Sequence, residues 1–142
     1  MSEKPPEFIR KAFPRTWYYP KWKLLGWYPC GVLNTALADQ VIEFIEMEEH
    51  IQDAPFDRYT DLSKLTHIRM EVNHIFQTAR RRRQAKQPAK SAFFADQPIS
   101  FSIAHMYEML MHEAMIEVRA FRGRAAAAEW LEVPIKILQP PS

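Results

Sequence analysis

This 142-residue chain has a single cysteine, Cys30, and only three glycines. One thiol cannot close an intramolecular disulfide, and it supplies no Cys-rich metal framework. So few glycines leave little material for a phosphate-cradling loop, and no P-loop, dinucleotide-binding fingerprint or Gly-x-Ser-x-Gly elbow occurs. No stretch approaches the roughly 18 to 20 apolar residues that span a bilayer. The opening MSEKPPEFIRKAFPR also lacks the uninterrupted apolar core of a signal peptide. A cytoplasmic, reducing location is therefore the expectation. Charge of one sign is missing too: 19 Lys plus Arg against 17 Asp plus Glu leave a net +2, far from the basic excess of a dedicated nucleic-acid binder.

What is present suits a packed domain. Hydrophobic residues make up 47% of the chain and aromatics 13%, enough for one core at this length. A flexible tail is expected over 1–12, a single domain over 13–133 and a second tail over 134–142. Between Phe13 and Val32, Trp17, Tyr18, Tyr19, Trp22, Trp27 and Tyr28 are punctuated by Pro14, Pro20 and Pro29, which suggests two short strands joined near Pro20. Asn34 or Thr35 can cap a helix running to about Ile51, with Leu37, Val41, Phe44 and Ile45 at helical spacing. Its other face carries Asp39, Glu43, Glu46, Glu48 and Glu49 and should be negative.

A strand is expected over Phe56 to Leu62. Thr66 is a candidate cap for a helix whose core stripe would be Ile68, Val72, Ile75, Phe76 and Ala79, ending in the basic run Arg80, Arg81, Arg82 and Arg83. Ser91 to Ala95 reads as a buried strand. Ser100 or Ser102 then opens a helix with the stripe Ile103, Met106, Tyr107, Leu110 and Ala114. Alternation from Ile116 to Phe121 marks another strand, and a last helix from about Arg124 to Leu131 docks through Trp130 and Leu131. Strands alternating with helices predict an α/β fold with a mostly parallel central sheet of about five strands and about four helices.

Several segments together resemble a family: Pro29-Cys30-Gly31-Val32-Leu33 before the acidic helix, Asp61-Leu62-Ser63 at a strand end, Met106-Tyr107-Glu108, Val118-Arg119-Ala120-Phe121 and Trp130-Leu131. In order and spacing they are similar to the bacterial STAS-like group, relatives of anti-sigma-factor antagonists, over roughly Trp22 to Val133. The resemblance implies a non-enzymatic regulatory or protein-interaction module. Antagonists of that group carry a phosphorylatable serine in an Asp-Ser-Ser/Thr-Gly motif. The corresponding stretch here, Arg69-Met70-Glu71-Val72, has no hydroxyl, so the resemblance does not extend to that switch. Ser63 nearby reads as a turn or capping residue.

Other candidate chemistries have simpler explanations. His105, Glu108 and His112 share a helix face, but it lies opposite the core stripe and lacks an HExxH pattern, so no metal is expected. His67 and His74 repeat the spacing with the same reading. Cys30 has no neighbouring base in sequence and reads as a turn or buried thiol. The run Arg80 to Arg83, with Lys86 and Lys90, could contact phosphates, but cations also complement a helix C-terminus and no aromatic platform interleaves with them. It could instead meet the acidic first helix of a second copy. The aromatic N-terminal strands would need cover on both faces, by a helix, the tail or a second subunit.

No catalytic residue, metal or cofactor is expected, and the leading partner is another protein, with a homodimer among the options. Contact would be made by the helix that follows Asp61-Leu62-Ser63. The alternative is a small apolar-ligand carrier of lipid-like type, with Met70, Met106, Met109, Met111 and Met115 as flexible lining. Binding of phosphate or nucleic acid through the arginine run comes third. The expected ligand or partner edge is the carboxyl end of the parallel strands, near Asp61, Ser63, Asp96, Ser100 and Ser102.

Overall fold

A computed structural model of the chain describes residues 8–140. The expected N-terminal tail falls partly outside that range. Its described part contributes β1 (Ile9–Arg10), paired antiparallel with β2 (Thr16–Tyr19), so ordered chain starts before residue 13. A 3-10 turn, Pro20–Trp22, leads to β3 (Leu24–Trp27), antiparallel to β2. Gly31 has φ 78°, the left-handed value that glycine takes at no steric cost, and turns the chain into β4 (Gly31–Asn34).

The helix α1 (Thr35–Ile51) starts as expected: Asn34 Oδ1 accepts from the Leu37 N–H at 2.9 Å. Next come β5 (Asp57–Asp61) and β6 (Leu65–Arg69), where the periodicity of Ile68 had suggested helix. β6 pairs in parallel with β4, Gly31 opposite Leu65, as a separate two-stranded sheet. α2 (Val72–Arg82) therefore begins later than its pattern suggested, and it is turned differently. Ile75, Ala79 and Arg82 face inward, whereas Val72 and Phe76 of the expected core stripe are 54% and 46% exposed. The Arg69 to Val72 stretch comprises the last residue of β6, the link Met70-Glu71 and the first residue of α2.

β7 (Ala89–Phe94), α3 (Pro98–Leu110), β8 (Ile116–Phe121) and α4 (Arg124–Leu131) follow the expected order. Gln97 occupies the N-cap position of α3 without a side-chain capping bond and Pro98 sits in its first turn, so Ser100 and Ser102 lie inside the helix. The main sheet has six strands in the order β1-β2-β3-β5-β7-β8, and its last four are parallel. This order never reverses. Connections of one hand then keep α1, α2 and α3 on one face, and α4 covers the other.

Alternation along each strand divides the core. On the α4 face, Trp17, Tyr19, Leu24, Tyr28, Tyr59, Ala92 and Phe94 pack against Ala127, Ala128 and Leu131. Ile137 and Leu138 join them from a second 3-10 turn, Ile135–Leu138, so the expected C-terminal tail is partly core. On the opposite face, Trp27 packs with Leu33, Ala38, Val41 and Ile42, while Ile116 and Val118 pack with Ala79 and Met111. Trp17, Tyr19, Trp27 and Tyr28 are all buried, with Tyr18 and Trp22 partly so. The aromatic strands are thus covered within one chain. Among the described residues no helix is long and apolar enough to cross a membrane.

Candidate functional site

On the face that carries three helices, a cavity of about 130 Å³ lies between the sheet and its cover. Trp27 of β3, Thr60 of β5, Phe93 of β7 and Ile116 of β8 form its floor. Val41, Ile42 and Ile45 of α1, Ile75 and Thr78 of α2, and Ile103, Ala104 and Tyr107 of α3 wall it, with Ile68 of β6 and Met70 closing the side. The sequence explains its position. β4 and β6 form their own small sheet, so helices and strands share the cover of one face, and Leu33 and Ile68 from these strands reach the cavity beside the helices.

Two arginines enter this apolar wall, Arg58 from β5 and Arg82 from α2. Period-two alternation puts Arg58 on the cavity face with Thr60 and Leu62, while Tyr59 and Asp61 point to the α4 side. Arg58 is 5% exposed. Its Nη2 and that of Arg82 both donate to Glu49 Oε2, and Arg82 Nη1 donates to Glu49 Oε1 at 3.1 Å. The Phe56 ring covers the Arg58 guanidinium at 4.4 Å. Burial pushes the Arg58 pKa below its ordinary value, against the pull of Glu49. Burial also raises Glu49, but Arg82 and Arg58 outweigh it and hold this carboxyl below the usual range. Desolvation pushes the Tyr107 hydroxyl up to about 12.

The arginine run does not form a free basic patch. Arg80 is exposed, Arg81 pairs with Glu46, Arg82 is buried with Glu46 and Glu49, and Arg83 donates to the Leu110 and His112 carbonyls. The acidic face of α1 is answered within the same chain, since Glu48 pairs with Lys11 and Asp39 with His74.

At the carboxyl edge the structure brings together Asp61 and Ser63. Asp61 is 1% exposed and accepts from the Tyr59 hydroxyl, the Ser63 N–H and Arg124 Nε, each at 3.0 Å, and from the Ser63 hydroxyl. Arg124 Nη2 also donates to Ser63 Oγ at 3.2 Å. Asp96 and Ser102 are exposed and outside this cluster, and Ser100 is buried, donating to the Gln97 carbonyl at 3.1 Å. Every Asp61 contact is to the chain itself, so the cluster ties α4 to β5.

Of the five methionines considered as lining, only Met70 borders the cavity; Met111 packs elsewhere in the core and Met109 and Met115 are exposed. Cys30 is exposed, and no three His, Cys, Asp or Glu side chains among the described residues could hold a metal together. Glu108 instead accepts from the Ala120 N–H at 2.7 Å. Sequence reasoning missed Arg58 and Glu49 as partners. The available signal was an arginine in an otherwise apolar and β-prone strand, on the same side as Phe56, Thr60 and Leu62.

No family model matches the chain, and no curated protein matches it. Among solved structures, the chain is similar to an uncharacterized protein of the DUF3478 family with a SpoIIAA-like fold from Shewanella loihica PV-4. The two are 12% identical over 88% of this chain and 90% of that one, with a TM-score of 0.49.

Proposed function

We propose that this protein is a small-molecule-binding module whose ligand occupies the cavity between the sheet and α1, α2 and α3. The observation that carries this reading is the cavity itself, an apolar space between the sheet and three helices. Its volume is close to the roughly 150 Å³ of an engineered apolar cavity that takes up benzene. The reading thus keeps the apolar-ligand alternative drawn from the sequence and narrows it to ligands smaller than a lipid. Native mass spectrometry of gently purified protein tests it, together with amide NMR spectra recorded with toluene and benzyl alcohol. A retained small adduct, or shifts confined to residues such as Ile68, Ile75 and Ile103, supports the reading. No adduct, and no shifts with these compounds or with benzoate and hexanoate, overturn it.

A second reading, a regulatory module that acts through contact with another protein, is favoured by the exposed pair Val72 and Phe76 on α2. They lie one helical turn apart on the outer side of a helix whose inner side, at Ile75 and Thr78, lines the cavity. Sedimentation and cross-linking of the wild type beside Phe76→Ser tests this reading. Self-association lost in the variant supports a homodimer, and identical behaviour removes α2 as its contact. The single cysteine and balanced charge support a reducing, cytoplasmic compartment for either role.

A further inference from the structure

Arg58 Nε and Nη1 are buried and have no hydrogen-bond acceptor among the described residues. A buried N–H that gives up water without gaining an acceptor is costly, and more so on a charged group. The neighbouring carboxylates are already engaged. Glu49 is shared by Arg58 and Arg82, and Glu46 by Arg81 and Arg82, so three guanidiniums divide two carboxylates. Asp57, the residue before Arg58, accepts from the Lys90 N–H at 2.9 Å through Oδ1. The cavity lining contains Arg58 and Arg82 but no Asp or Glu. Phe56 and Glu49 hold the Arg58 guanidinium in one orientation. The result is an oriented, positively charged donor at the wall of an apolar chamber.

We infer that the ligand of this cavity is a small monocarboxylate, with an apolar body of about six carbons and a headgroup that accepts from the free N–H groups of Arg58. The inference rests on the cavity being a ligand site, and adds its chemical class. A carboxylate supplies the oxygen acceptor that the described residues withhold, and charge assistance makes such a bond about twice as strong as a neutral one. Arg58 and Arg82 share Glu49, and no carboxylate borders the chamber among the described residues, so an anionic headgroup meets cationic donors there and no like charge. The chamber has room for a ring or a short aliphatic chain, whereas a long acyl chain exceeds it.

The test compares carboxylates with neutral molecules of matching shape on the intact protein. Benzoate and hexanoate are titrated beside benzyl alcohol and 1-hexanol by calorimetry and by amide NMR, with the Arg58 Nε–H resonance observed directly. At least one carboxylate should bind about tenfold or more tighter than its neutral counterpart and shift the Arg58 Nε–H. Arg58→Gln should remove that difference while keeping the neutral compounds bound. Equal or stronger binding of the neutral compounds overturns the carboxylate assignment and leaves the cavity reading standing. Failure of all four compounds to bind overturns the cavity reading and this inference with it. If Arg58→Gln does not fold, the paired titrations and the Nε–H shift on the wild type decide alone. Preference for benzoate over hexanoate, or the reverse, assigns the body as aromatic or aliphatic.

Discussion

Arg124 Nε lies 3.0 Å from Asp61 Oδ2, so the first residue of α4 is tied to the last residue of β5 across the carboxyl edge of the sheet. Asp61 is the hub of this contact, because Tyr59 and Ser63 also donate to it. Asp61→Ala should cost about 2 to 4 kcal/mol, since it strands several donors at once. Arg124→Ala should cost about 1 kcal/mol, because Asp61 keeps its other donors and Arg124 is partly exposed. Urea unfolding of both variants checks the order. Equal losses would mean that α4 is held by its apolar contacts alone.

The two sides of the buried ion cluster should respond unequally to substitution. Glu49→Ala leaves Arg58 and Arg82 facing each other in a desolvated wall and should cost about 2 to 4 kcal/mol, less than a fully buried pair because this carboxylate is partly exposed. Arg58→Met replaces the guanidinium by an apolar chain and leaves Glu49 paired with Arg82, so stability should stay within about 1 kcal/mol. Thermal unfolding at neutral pH measures both. A larger loss in Arg58→Met than in Glu49→Ala would contradict this account.

Acid should weaken the same cluster. Glu49 is held below the ordinary carboxylate range in the folded state, so the unfolded chain binds its proton more readily. Its contribution is present above the unfolded value of about 4.3 and disappears as pH falls through that value to the folded one. Wild type should therefore lose stability more steeply than Glu49→Gln on going from about pH 5 downward. Urea midpoints at stepped pH provide the comparison, and parallel curves would assign the acid sensitivity to other carboxylates.

The rotation of α2 about its axis can be checked with two adjacent residues. Ile75 is buried whereas Phe76 is about half exposed. Ile75→Ala should cost about 2 to 4 kcal/mol, while Phe76→Ser should change stability by about 0.5 kcal/mol or less. Chemical denaturation of the two variants decides. The reverse ranking would restore Phe76 to the core, as the hydrophobic pattern alone suggested.

Filling the cavity should separate binding from folding. Thr78→Leu adds apolar volume from α2 and exchanges a β-branched residue for a strong helix former. Stability should be unchanged or rise by about 0.5 to 2 kcal/mol, while affinity for benzyl alcohol falls about tenfold or more, because the space it needs is taken. Calorimetric titration beside a melting curve measures both. Unchanged affinity would place the bound compound elsewhere.

Local sequence determined the elements whose signals are short in range. Asn34 and the apolar spacing after it specify α1; alternation specifies β8; the interval from Arg124 to Leu131 specifies α4. These patterns depend on neighbours within a turn or a pleat, and together they established the α/β order and the parallel sheet. Tertiary structure decided the rest. Leu65 to Arg69 became a strand because β4 offers it a parallel partner, and that backbone pairing outweighs the helical spacing of Ile68 with the residues after it. The pairing delayed α2 and left Phe76 outside. Ile137 and Leu138 entered the core because α4 returns the chain across the aromatic strands. The cavity and its arginine were the least legible features, for the same reason. Arg58 is buried only because Glu49 of α1 and Arg82 of α2, which lie on two different helices, converge on it. Such convergence is set by how three separate elements pack, and no local pattern encodes it.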